Sequence, residues 1–155
     1  MEIKLTREDV LIIYKFLKKL NLKFANKEST IAIVNNLIKI KDAAQEIIKE
    51  NKKIINALQN DEFREKEKQY IEAKKNYHES SKGSKSALDF KKIENEYRHL
   101  CENFLDAYTK AILELDQEFI FDLKKIKLED IVDILNKSGI DYTFENISML
   151  YKIIK

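Results

Sequence analysis

The apolar positions change their spacing along the chain, and each change marks an element. Met1-Glu2-Ile3-Lys4-Leu5 alternates apolar and charged residues, the pattern of a half-buried strand. Thr6-Arg7-Glu8-Asp9 has the form of a capping box, in which the Thr6 hydroxyl accepts from the Asp9 amide and the Asp9 carboxylate reaches back. A helix then follows over about 7 to 20, with Val10, Ile13, Tyr14, Leu17 and Leu20 on one face and Leu11, Ile12 and Phe16 widening it. The stretch from Asn21 to Lys27 reads as a break. A second helix is expected from Ser29 or Thr30, with its apolar residues in adjacent pairs: Ile33/Val34, Leu37/Ile38, Ala43/Ala44, Ile47/Ile48, Ile54/Ile55 and Ala57/Leu58. Two apolar residues per turn make a broad stripe that predicts two covering neighbours.

Beyond Asn60 the apolar content thins. Between Glu62 and Glu79 it is confined to Phe63, Tyr70, Ile71, Ala73 and Tyr77, so the helix either continues with a narrow seam or restarts with Asp61 as its cap. Phe63, Tyr70 and Tyr77 recur at the heptad period, and so do Phe90, Tyr97 and Phe104 after the Ser/Lys-rich turn that holds Gly83. A chain doubled back at Gly83 pairs Tyr77 with Phe90, Tyr70 with Tyr97 and Phe63 with Phe104. The two residue numbers of every pair add to the same total, as an antiparallel hairpin requires. Ser86-Ala87-Leu88-Asp89 is a second capping-box pattern, and the returning helix keeps its spacing through Ile93, Leu100, Ala107 and Ala111. From Ala111 it becomes apolar on several sides (Ile112, Leu113, Leu115), which predicts a place beside the broad stripe.

Phe119-Ile120-Phe121 is dense in aromatic and β-branched residues and reads as a helix end or as a strand. As a strand, 119–128 is the natural partner of 1–5. A short helix over Leu128 to Leu135 ends near Gly139, Ile140 to Phe144 alternates again, and a last helix from Glu145 to Ile154 is expected to bury Ile147, Leu150, Tyr151 and Ile154. The fold class is therefore mainly α, a single domain. A helical base (about 1–60 and 106–155) carries a long antiparallel coiled-coil hairpin arm (about 61–105), with a small two-stranded β element. Twenty residues of helix reach about 30 Å, and two helices do not enclose their own rings.

Composition agrees with long helices. The chain of 155 residues has no proline, two glycines and no tryptophan, where turn-rich β architectures need such punctuation. One cysteine, Cys101, makes no internal disulfide, no secretory leader is expected, and the longest uncharged apolar run, Val10 to Tyr14, falls far short of the roughly 20 residues a membrane span requires. The expected setting is the cytoplasm, with no membrane partner. The formal net charge of +2 hides a basic front: residues 11–60 hold ten lysines against four acids.

Candidate chemistry is sparse. Glu96-x-x-His99 has the spacing of a di-iron half-site, but the other histidine, His78, has Lys75 in place of the second carboxylate. Two glycines exclude a Walker loop and a dinucleotide fingerprint, and neither histidine is placed as a base for Cys101. No enzyme activity, metal or cofactor is expected. The rings serve first as the seam of the hairpin. Their open edges, with neighbouring apolar residues, offer a partner surface comprising Phe63, Tyr70, Ile71, Tyr77, Leu88, Phe90, Tyr97 and Tyr108, suited to a second copy of the chain or to another protein. The alternative is a small nucleic-acid-associated regulator using Lys39, Lys41, Lys49, Lys52 and Lys53 as a phosphate-facing strip.

The opening Met1-Glu2-Ile3-Lys4-Leu5-Thr6, the amphipathic helix, the Leu22-Lys23 stretch leading to a long charged hairpin, and the short apolar tail resemble small uncharacterised helical proteins encoded by bacteriophages of low-GC bacteria. The likeness covers the layout of most of the chain. It implies an accessory role in the host cell cytoplasm, through capture or inhibition of a host protein.

Overall fold

The computed structural model describes residues 2–79 and 84–155. The turn expected at Gly83 lies outside them, as do Met1 and the Ser86 side chain on which the second capping-box pattern rests. The protein is mainly α with a small two-stranded antiparallel sheet. It divides into two compact units, Met1–Lys49 with Asp116–Lys155, and Glu50–Leu115.

In the first unit, β1 (Glu2–Thr6) runs straight into α1 (Arg7–Lys19). The capping box forms as its sequence pattern demands: Thr6 Oγ1 accepts from the Asp9 N–H at 3.2 Å, and the Thr6 N–H donates to Asp9 Oδ2 at 2.8 Å. A short 3₁₀ turn over Leu22–Phe24 fills the expected break. Next comes α2 (Lys27–Leu58), which starts earlier than expected because Asn26, not Ser29, caps it, its Oδ1 accepting from the Ser29 N–H at 2.8 Å. Ser29 is instead buried and donates to Asp130 Oδ2 at 2.5 Å.

The later strand of the sheet is β2 (Glu118–Asp122), so the ambiguous stretch is a strand, shorter than the 119–128 considered. Ile3 pairs with Phe121 and Leu5 with Phe119, which puts all four on one face, toward the core. Asn36 of α2 is fully buried and grips the chain just after β2. Its Nδ2 donates to the Lys124 carbonyl and its Oδ1 accepts from the Lys124 N–H, both at 2.8 Å. The core of this unit is formed by Leu5, Val10, Ile13, Leu17, Ile33, Ile40, Ala44, Ile47, Leu123, Ile126, Ile131 and Ile134, with the C-terminal Leu150 and Ile153.

Helices α3 (Asp61–Glu79) and α4 (Ser84–Glu114) belong to the second unit. Helix α2 ends at Leu58, and Asn60 caps the restart, its Oδ1 accepting from the Phe63 N–H at 2.9 Å. The break is real, and its cap lies one residue before Asp61. Back in the first unit, α5 (Leu128–Ser138) ends on Gly139, whose φ of 63° is the left-handed conformation that glycine adopts without a Cβ penalty.

Three expectations are met only in part or not at all. The broad α2 stripe is covered over part of its width: Ala32, Ile33, Ile40, Ala44 and Ile47 are buried and Leu37 and Ala43 pack against the core, while Val34 and Ile38 stay open with Ile31. The end of α4 is not enclosed on several sides, since Leu113 is exposed. The last helix, α6, spans only Phe144–Ser148, and the alternating stretch before it, 140–143, does not form a strand. The chain then continues in tight turns, so the buried residues are Ile147, Leu150 and Ile153, three apart, while Tyr151 faces solvent. A backbone bridge of Ile126 to Ile154 fixes that register.

Candidate functional site

The α3–α4 hairpin carries the residues singled out from sequence, and its rings meet in the expected register. Tyr77 stacks on Phe90 with centroids 4.9 Å apart, Tyr70 stacks on Tyr97 at 4.8 Å, and Phe63 meets Phe104 at 5.5 Å with the planes tilted. Diagonal contacts, Phe63 to Tyr97 at 6.0 Å and Tyr70 to Phe90 at 6.1 Å, join the rungs into a continuous ladder, and Tyr108 extends it by stacking on Phe104 at 6.0 Å. These separations fall in the range where ring quadrupoles attract.

Polar groups lock the register on both sides of the seam. The Tyr97 hydroxyl donates to Glu67 Oε1 at 3.2 Å, and Lys66 Nζ reaches Glu96 Oε2 at 2.9 Å. Burial first, then Cys101 and the acceptor Glu67, push the Tyr97 phenol above its ordinary value, so it stays a neutral donor. Lys66 holds the Glu96 carboxyl below its ordinary value.

The proposed partner residues do not make one patch. Phe63 is only 5% exposed and belongs to the interior of the seam, so it is not part of an open surface. Tyr70, Tyr77, Phe90, Tyr97 and Tyr108 are half-buried, each with an open edge. Ile71 is 60% exposed and sits one residue, about 100°, round from Tyr70. Leu88 is 70% exposed but nine residues before Tyr97, about half a turn from the seam, so it faces the opposite way.

The exposed flanks of α3 differ in charge. Arg64, Lys68 and Lys75 follow helical spacing on the Ile71 side, whereas Glu62, Glu65 and Glu72 line the other. That segregation follows from helical spacing over 61–79 alone.

The lysine strip on α2 is partly engaged. Lys39 Nζ bonds the Asp122 carbonyl and lies 3.2 Å from Asp122 Oδ2, so it serves the fold and is withdrawn from the strip. Lys41 and Lys49 of the first unit and Lys52 and Lys53 of the second are exposed. Glu96 and His99 are not brought together: Glu96 holds Lys66, and His99 Nδ1 lies 3.3 Å from Glu102 Oε2. Among the described residues no group of His, Cys, Asp or Glu could hold a metal ion, and no helix is long and apolar enough to cross a membrane.

Fold and site together define a mainly α protein whose most distinctive feature is an aromatic helical hairpin. Comparison with protein-family models, with curated proteins and with solved structures gave no match.

Proposed function

We propose that this protein works by binding another protein chain through the α3–α4 hairpin, first of all a second copy of itself, and not by catalysis. The observation that carries the reading is the open edge of the ladder. Six of its rings are half-buried, Phe104 included, and exposed Ile71 lies beside Tyr70. Burial of such rings desolvates a large area at modest entropy cost, which is why Tyr and Phe anchor interfaces. The flanks of α3 supply the complement: a basic side and an acidic side on one helix allow each copy to meet the next without like-charge contact. A bacteriophage origin would make a host protein the other natural partner.

Light scattering on the purified chain tests self-association. The expected result is a mass above the 18.4 kDa of one chain, falling toward it in Ile71→Asp and in high salt. A single-chain mass at every concentration rules out self-association and leaves a different protein as the partner. The second reading rests on Lys41, Lys49, Lys52 and Lys53, which are exposed and for which no ion pair is found among the described residues. It predicts retention on heparin that falls steeply with salt and is lost when these lysines become glutamate.

A further inference from the structure

The first unit holds an apolar cavity that the hairpin reading does not use. It is a half-open cleft of about 290 Å³ between α1 and the segment after α5, walled by Ile12, Phe16, Leu20, Leu135, Ile140 and Met149. Leu20 and Leu135 are buried and form its floor, while Met149 is 42% exposed at its mouth. Pockets for small molecules span roughly 300–1,000 Å³, so this one, at the lower edge, suits one or two side chains of a peptide.

The charges at the cavity are unbalanced. Lys15 and Lys19 of α1 also line it, one turn apart on the same helix edge, and both are exposed. Like charges at that spacing repel each other, and among the described residues neither ammonium has an ion-pair partner. Among the described residues Asp141 is the one acid on the lining, and it forms no ion pair with either lysine. An apolar floor beside two lysines without ion-pair partners among the described residues selects an apolar group that carries negative charge beside it.

We infer that this cavity is a docking site for an acidic peptide segment of a partner protein, which buries one large apolar side chain against Leu20 and Leu135 and sets its carboxylates against Lys15 and Lys19. The site is separate from the α3–α4 hairpin, so a failure of self-association leaves it untouched.

The test uses the full chain, isotope-labelled for amide NMR at low ionic strength, with two synthetic peptides. One carries a Leu-Phe pair flanked by three aspartates on each side; the other has lysines in place of the aspartates. The acidic peptide is expected to shift the amides of 12–20 and 135–149 and to bind at least about tenfold more tightly than the basic one, the preference reversing in Lys15→Glu/Lys19→Glu. Both lysines are exposed, so that variant keeps the fold, and the two-peptide comparison on the unaltered chain decides the question even if it does not. Equal binding of both peptides, shifts confined to other regions, or no shift from either would overturn the proposal. So would shifts of the same amides by decanoate but not by the acidic peptide, which would identify the occupant as a free acyl carboxylate.

Discussion

Asn36 shows how a single side chain ties distant parts of the chain together. It lies on the covered side of α2, among residues whose neighbours are Ile33 and Ile40, and it satisfies both backbone groups of Lys124. A buried N–H and C=O left without partners each cost about 1–3 kcal/mol. Asn36→Ala is therefore expected to lower stability by about 2–4 kcal/mol in urea denaturation, with Asn36→Leu no better, although it restores the volume. A loss under about 0.5 kcal/mol would mean that water replaces the amide at Lys124. Nothing in the sequence marks this residue. Its neighbours Leu37 and Ile38 were readable as a pair on a helical stripe, but the role of Asn36 is set by a backbone segment 88 positions away. The same holds for Lys39, whose ammonium was legible as a free cation until Asp122 was brought beside it.

Elements whose partners are themselves periodic were the legible ones. The ring ladder could be read in advance because register in an antiparallel hairpin is a matter of counting, and the capping box of α1 because Thr6 and Asp9 interact locally. The ends of the chain were harder. Whether 118–122 is strand or helix depends on β1 lying opposite, and the last segment follows tight turns whose period of three differs from the helical 3.6 by too little to show over ten residues. The start of α1 also carries a long-range contact that no local pattern reveals. Lys152 Nζ lies 2.6 Å from Asp9 Oδ2, with both side chains about four-fifths covered. Burial opposes the charge on Asp9, but hydrogen bonds from Lys152 and Thr6 outweigh it and hold the carboxyl below its ordinary value. The hydrogen bond to Asp9 raises Lys152 despite its burial. The contribution of Asp9 is thus present above the unfolded carboxylate pKa of about 3.9 and is lost as pH falls through the lower folded value. The contribution of Lys152 is present below about 10.4 and is lost as pH rises through the higher folded value. Thermal melts across pH are expected to show destabilisation at both extremes that Asp9→Asn largely removes, at the expense of stability near neutrality. An acid limb of unchanged slope in Asp9→Asn would assign that sensitivity to other carboxylates.

On the scale of the molecule, the question is whether the two compact units answer to separate interactions. Helix α2 runs through both, since residues up to Lys49 belong to one and residues from Glu50 to the other, so the backbone offers a route for coupling. The interactions described above each fall within one unit. The Asn36 clamp, the sheet pairing and the Asp9–Lys152 pair all lie in the first unit, while the ladder and the Lys66–Glu96 bridge lie in the second. Mutations without shared partners act independently to within a few tenths of a kcal/mol. Tyr70→Ala with Tyr97→Ala deletes the central rung, whose stacking and partial burial are together worth about 2–4 kcal/mol. Hydrogen exchange is therefore expected to quicken at the amides of 61–79 and 84–114, while those of 10–19 and 128–138 keep their protection. Asn36→Ala should produce the reverse pattern, because it weakens only contacts that close the first unit. If either variant instead lowered protection equally in both sets of amides, the continuous α2 would be transmitting the loss, and the chain would open as one cooperative body despite the division of its contacts.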